Sequence, residues 1–172
     1  KALYGLKQAP RAWYSRIESY FIEEGFNKCP HEHTLFIKTA GGGKILIACL
    51  YVDDLIFTGN DETMLEKFKK SMTAEFDMTD LGKMRYFLGI EVIQRSDGVF
   101  IGQRKYAQEI LEKFNMEQCN PVQNPVVPGL KLTKNEGVEV DSTVYRQMVG
   151  SLMYLTATRP DLMFVVSLIS RY

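Results

Sequence analysis

Four consecutive residues, Tyr51-Val52-Asp53-Asp54, carry the most pointed chemistry in the chain. The two carboxylates lie between apolar runs, Ile45-Leu46-Ile47-Ala48-Cys49-Leu50 before them and Leu55-Ile56-Phe57 after. Apolar, partly β-branched flanks of this kind predict strand, turn, strand, with the acids at the turn. An unpaired carboxylate is costly to bury, so the pair belongs at a surface. Adjacent carboxylates suit a hard divalent cation such as Mg²⁺, which takes oxygen ligands and commonly sits on one or two carboxylates plus substrate phosphates. Two such ions, roughly 3.5–4 Å apart, stabilise the attacking and leaving oxygens of an in-line displacement. A plain solvated turn accounts for the same residues, because Asp stabilises turns through its own backbone hydrogen bonds. Tyr51 adds an aromatic face able to pack on a sugar or base. His31-Glu32-His33 also has metal-ligating types. Its histidines stand at i and i+2 and lack the i, i+4 spacing of a zinc helix, so the segment reads as an exposed loop.

Periodicity and punctuation give the elements that must hold these groups. Pro10 suits the first turn of a helix. Trp13, Ile17, Tyr20, Phe21 and Ile22 recur at near-helical spacing up to Gly25, a C-cap. Residues 34–38 read as a strand, and Gly41-Gly42-Gly43 as a flexible loop into the acidic hairpin. Asn60 or Asp61 caps a helix whose Leu65, Phe68 and Met72 form an apolar stripe, with Lys67, Lys69 and Lys70 largely off it. Residues 85–94 are a second strong strand, and Ser96-Asp97-Gly98 turns the chain back along residues 99–102. Ala107, Ile110, Leu111 and Phe114 mark an amphipathic helix. Pro121, Pro125, Pro128 and Gly129 make residues 118–142 an irregular linker or strap. Residues 144–155 and 161–170 are helical, broken at Pro160. Helix, hairpin, helix, hairpin, helix is an α+β pattern with antiparallel strands.

The 172 residues, 45% hydrophobic, suffice for one domain with a real core or for part of a larger one. A net charge of zero gives no global attraction to nucleic acid. The opening is locally basic: Lys1, Lys7, Arg11 and Arg16, without an acid, interleave with Tyr4, Trp13 and Tyr14. Such a mixture suits a nucleic-acid groove, cations for phosphates and rings for stacking. A solvated helix face with a buried Trp explains it as well. Cys29, Cys49 and Cys119 form neither a disulfide framework nor a zinc pattern. Cys49 reads as a small core residue, and a reducing intracellular setting is expected. No run approaches the roughly 20 apolar residues of a membrane span, and no signal peptide is expected. Both ends read as cuts through a longer protein.

Tyr51-Val52-Asp53-Asp54 resembles the catalytic hairpin of reverse transcriptases, and the surrounding motifs narrow the resemblance to the copia-type retrotransposon enzymes. Lys1-Ala2-Leu3-Tyr4-Gly5-Leu6-Lys7-Gln8-Ala9-Pro10-Arg11-Ala12-Trp13-Tyr14 is similar to the block just upstream of that hairpin. Asp80-Leu81-Gly82 and Tyr86-Phe87-Leu88-Gly89-Ile90-Glu91-Val92 resemble the next block. Gln103, Lys105-Tyr106-Ala107, Tyr145-Arg146, Val149-Gly150-Ser151-Leu152-Met153-Tyr154-Leu155 and Thr158-Arg159-Pro160-Asp161 follow in the family's order.

The resemblance implies a partial polymerase palm, antiparallel hairpins with packed helices, over residues 1–94, and a truncated helical thumb and connection over residues 95–172. It implies RNA-directed DNA polymerisation, the primer 3′-hydroxyl attacking the α-phosphorus of a deoxynucleotide. Asp53 and Asp54 become metal ligands for two Mg²⁺ ions, with Mn²⁺ as a substitute. Gln8, Tyr51 and Lys83 become nucleotide contacts, although Lys83 reads more readily as a plain surface lysine. Lys7 and Arg11 become nucleic-acid contacts. Tyr86, Phe87, Leu88 and Gly89 become the primer grip, although Phe87 and Leu88 also suit an ordinary core. The implied partners are an RNA or DNA template-primer, deoxynucleotides and an upstream polyprotein segment completing the palm. The implied location is intracellular, a cytoplasmic virus-like particle where the element is active. The family keeps a further catalytic Asp on an earlier strand, ahead of the block at Lys1. The chain alone is therefore expected to be inactive, with an exposed sheet edge and poor solubility. A non-catalytic relic, at most a nucleic-acid-binding or interaction module, is the competing reading. A metal-dependent phosphohydrolase is remote, since no nucleophile or base is placed for it.

Overall fold

The computed structural model describes residues 3, 5–129, 131–133 and 140–172. Lys1, Tyr4 and part of the 118–142 strap lie outside the described residues. Packing divides the chain into two compact units, Lys1–Asp80 and Leu81–Tyr172. The division falls ahead of residue 94, so the second strand pair goes with the carboxy-terminal unit.

The first unit runs α1 (Ala9–Glu23), β1 (Asn27–Lys28), β2 (Leu35–Ala40), β3 (Lys44–Tyr51), β4 (Asp54–Gly59) and α2 (Glu62–Glu75). The four strands form one antiparallel sheet in chain order. β3 alternates as a half-covered strand must: Leu46, Ala48 and Leu50 are buried, while Ile45, Ile47 and Cys49 face the other way and are half-buried. Cys49 is thus not a core residue, because the period of two puts it on the face opposite Leu50. Ile17 and Phe21 of α1, Phe26, Phe36 of β2, and Phe68 and Met72 of α2 join the buried β3 residues in one core. The Phe21 ring lies 5.0 Å from Phe26, 4.9 Å from Phe36 and 6.0 Å from Phe68.

The ends of these elements have local causes. α1 stops at Gly25, whose φ of +82° is cheap only without a Cβ. The Gly25 N–H donates to the Ile22 carbonyl and the Phe26 N–H to the Phe21 carbonyl, a Schellman closure with Phe26 packed on Phe21. Asp61 is the cap of α2, accepting the Met64 N–H at 2.9 Å. Asn60 instead closes the open end of the β3–β4 hairpin. Its Oδ1 accepts the Ile45 N–H and its Nδ2 donates to the Gly43 carbonyl. Gly41-Gly42-Gly43 make a tight turn between the paired Ala40 and Lys44, not a flexible loop.

The second unit holds β5 (Tyr86–Phe87), β6 (Ile90–Arg95), β7 (Gly98–Gly102), α3 (Arg104–Lys113), α4 (Ser142–Leu155), a 3₁₀ turn (Pro160–Leu162) and α5 (Met163–Ile169). β5, β6 and β7 form an antiparallel sheet. The expected strand over residues 85–94 is instead two strands folded back at Leu88-Gly89. α3 buries no side chain fully, and Leu111 is 43% exposed. Val92, Val149, Leu155 and Val166 are the buried apolar residues, beside Gln103. The mixed α/β architecture with antiparallel sheets agrees with the α+β expectation.

Candidate functional site

Tyr51 pairs with Asp54 across the β3–β4 hairpin, leaving Val52 and Asp53 as the whole turn. All four residues are exposed. The φ of Val52 is +53°, and Asp53 has no positive φ. That is the φ pattern of a type II′ turn, where glycine is the usual first residue. A β-branched residue there is strained by about 1–3 kcal/mol and persists only where its surroundings fix it. The Trp13 indole N–H supplies a restraint, donating to the Val52 carbonyl at 2.7 Å. Trp13 stands edge-on to Phe76, ring centroids 5.2 Å apart, and Phe76 meets Tyr20 in the same way. Arg16 lies over the Phe76 ring and bonds Glu75. The acidic turn is thus tied through α1 to the end of α2.

Two exposed, adjacent carboxylates fit part of a hard-cation site, in which water and phosphate oxygens complete the shell. Among the described residues neither Asp53 nor Asp54 forms an ion pair, and no group of three or more His, Cys, Asp or Glu is placed to hold a metal. His31 and His33 are exposed, in the loop the sequence suggests.

Lys7, Gln8 and Arg11 line an open depression of about 320 Å³. Gln8 is the N-cap residue of α1, so this depression lies at a helix N-terminus, where free N–H groups and the helix dipole favour anions. Trp13, Tyr14 and Arg16, also of the basic, aromatic opening, have structural partners. Trp13 holds the acidic turn, Tyr14 donates to the His33 carbonyl, and Arg16 is paired. A larger depression of about 470 Å³, beside Ile93, Arg95 and Phe100, holds none of the candidate residues.

Lys83, Tyr86, Phe87, Leu88 and Gly89 belong to the second unit. Lys83 is exposed, Tyr86 and Leu88 are about half exposed, and Phe87 is half-buried, so only Phe87 approaches a core role. Phe87 pairs with Ile90, making Leu88-Gly89 a turn with φ of +49° and +80°. The Tyr154 hydroxyl of α4 donates to the Leu88 carbonyl. The sequence pattern does not disclose the parts played by Trp13, Phe76 and Tyr154. A Leu-Gly pair between apolar runs was the available signal for the second turn.

Residues 1–128 match the family described as reverse transcriptase (RNA-dependent DNA polymerase). The chain belongs to the reverse transcriptase family. This reverse transcriptase domain is 40% identical, over its whole length, to a retrovirus-related Pol polyprotein from transposon RE1 of Arabidopsis thaliana, of which it covers 12%. It is 35% identical, again over its whole length, to the one from transposon TNT 1-94 of Nicotiana tabacum, covering 14%. A putative transposon Ty5-1 protein of Saccharomyces cerevisiae is 32% identical over 99% of the chain, which spans 56% of that relative. The domain thus spans about an eighth of the two plant polyproteins, and its recognition as a copia-type retrotransposon reverse transcriptase agrees with them. No solved structure gives a significant match.

Proposed function

We propose that this domain is the part of a retrotransposon RNA-directed DNA polymerase that bears the acidic turn and the primer-facing hairpin. The observation carrying the reading is the acidic turn: two exposed, adjacent carboxylates on a strained backbone restrained by Trp13. Strain retained at a polar surface turn is a mark of functional sites.

In the reaction, a bond forms between the primer 3′-oxygen and the α-phosphorus, and pyrophosphate leaves. Such transfers need positioning and charge stabilisation, with little covalent work for the protein. Two Mg²⁺ ions, or Mn²⁺, when bound neutralise charge on the attacking and leaving oxygens. Asp53 and Asp54 supply carboxylate oxygens to hold them. Tyr51 packs on the nucleotide, Gln8 hydrogen-bonds it, and Lys83 attracts its triphosphate. Lys7 and Arg11 bind backbone phosphate at the start of α1. Tyr86, Phe87, Leu88 and Gly89 face the primer end. Residues 1–94 then act as palm and residues 95–172 as thumb and connection. The remaining metal ligand comes from an upstream polyprotein segment, and the site works on template-primer and deoxynucleotides inside a virus-like particle.

Primer extension tests this. The chain joined to the upstream Pol segment is expected to extend a DNA primer on an RNA template, and Asp53→Asn to lower the rate on the order of 10²-fold or more. Extension insensitive to Asp53→Asn sinks the polymerase reading. Extension by the 172-residue chain alone refutes the need for an upstream ligand.

A further inference from the structure

We infer that Tyr154 is a positioning residue for the Leu88-Gly89 turn, and through it for the hairpin face that meets the primer end; the primer half of this inference rests on the polymerase reading above.

The turn does not explain itself. Positive φ at both central residues is the type I′ pattern, for which Asn-Gly and Gly-Gly are the preferred pairs. Gly89 meets the requirement; Leu88 does not, since its Cβ crowds the neighbouring carbonyl in the left-handed region. The strand leading into the turn is also too short to impose the conformation. β5 is two residues long, paired with β6 through Tyr86 with Glu91 and Phe87 with Ile90, and just ahead of it the Arg85 carbonyl accepts the Val92 N–H at 2.8 Å. A two-stranded pairing this short is marginal in water by itself.

The restraint comes from helices later in the chain. The Tyr154 hydroxyl donates to the Leu88 carbonyl across 66 positions of sequence. The Tyr154 ring also lies against Gly89, where an added Cβ would sit 3.4 Å from Tyr154 Cε1 and 3.8 Å from Tyr106 Cδ2. Tyr106 and Tyr154 stand edge to face with centroids 5.1 Å apart, and the Tyr106 hydroxyl donates to the Ser151 carbonyl at 3.2 Å. Tyr154 is itself anchored: its carbonyl accepts from Gln103 Nε2, and Gln103 Oε1 accepts from the Thr158 hydroxyl at 2.9 Å. Gln103 is 4% exposed, so this anchor is dry. The tyrosines hold the turn by its backbone, and the side chains of Tyr86 and Leu88 stay half exposed.

The decisive variant is Tyr154→Phe, which removes one oxygen and keeps the ring. In the 172-residue chain, amide exchange at Phe87 and Ile90 is expected to quicken about fivefold, the order of one lost neutral hydrogen bond, and the carbon shifts of Leu88 to leave the left-handed range. Affinity for a DNA duplex with a recessed 3′ end is expected to fall by a similar factor. Leu88→Asn in the Tyr154→Phe background makes the turn Asn-Gly, self-sufficient as type I′, and is expected to restore slow exchange at Phe87 and Ile90. Loss of mere helix packing would not be rescued from the turn. Unchanged Leu88 shifts and exchange in Tyr154→Phe overturn the inference, as does failure of Leu88→Asn to restore slow exchange at Phe87 and Ile90. A wild-type chain that binds recessed and blunt duplexes equally sinks the primer reading instead, and the exchange rates still decide whether Tyr154 holds the turn.

Discussion

The two hairpin turns use the same device and anchor it differently. Each turns on two residues, and each has a residue with a Cβ at positive φ in the first position, Val52 or Leu88. In each an aromatic side chain from a helix donates to that residue's carbonyl, Trp13 in one and Tyr154 in the other. Behind Trp13 stand Phe76, Tyr20 and a phenylalanine-rich apolar core. Behind Tyr154 stand Tyr106 and the buried Gln103 amide, with Val92, Val149, Leu155 and Val166 as the buried apolar residues of that unit. The first turn is held by burial and the second by polar atoms that must stay paired. Truncating an apolar side chain should therefore loosen the first turn, and deleting a single oxygen the second.

The sharpest way to break this contrast is Phe21→Ala. Phe21 is fully buried and touches three other rings of the core. Its loss is expected to cost about 3–5 kcal/mol, transfer plus cavity, read as a lower urea midpoint at unchanged slope. A cost below about 1 kcal/mol would mean that the aromatic core does not carry the first unit.

A smaller effect is expected from Trp13→Phe, which keeps a ring against Phe76 and removes the N–H. The loss is about 1 kcal/mol for one hydrogen bond to a backbone carbonyl, measured by urea unfolding followed by circular dichroism. In a Val52→Gly background the same change should cost less, because glycine takes positive φ without the restraint. Equal costs in both backgrounds would separate the indole from the turn.

The smallest effect concerns the two aspartate helix caps, one in each unit. Asp61 titrates below the ordinary carboxylate range, chiefly through its bond from Lys44 and then the Met64 N–H. Asp141 is also lowered, by the N–H groups of Thr143 and Val144. The unfolded chain therefore binds more protons than the folded one at these sites. Their stabilisation is complete above the ordinary Asp value of about 3.9 and is lost as pH falls through the lower folded values. Asp61→Asn and Asp141→Asn should each flatten the acid limb of a stability–pH curve. Added salt should weaken the Asp61 contribution, which includes an ion pair with Lys44.

Much of the first unit could be read in the sequence because its causes are local. Gly25 ends α1, the stripe through Phe68 and Met72 gives α2, and the apolar runs around Asp53-Asp54 give β3 and β4 in register. The order of motifs gave the family. The Leu88-Gly89 turn has only a Leu-Gly pair as its local signal, and residues 85–94 read as one strand, because the group that holds the bend is a hydroxyl on α4. Trp13 read as a stacking ring or a buried one, and neither reading contains the Val52 carbonyl. Local pattern fixes which element forms; a hydrogen bond from a residue tens of positions away leaves no periodicity to find.

Trp13 has one more consequence. It is the only tryptophan in the chain, so all indole emission arises from a ring bonded to the backbone one residue before Asp53. The acidic turn therefore carries its own optical gauge. The proposed binding of a divalent cation at Asp53 and Asp54 can thus be tested by titration in unlabelled protein, from a single fluorophore.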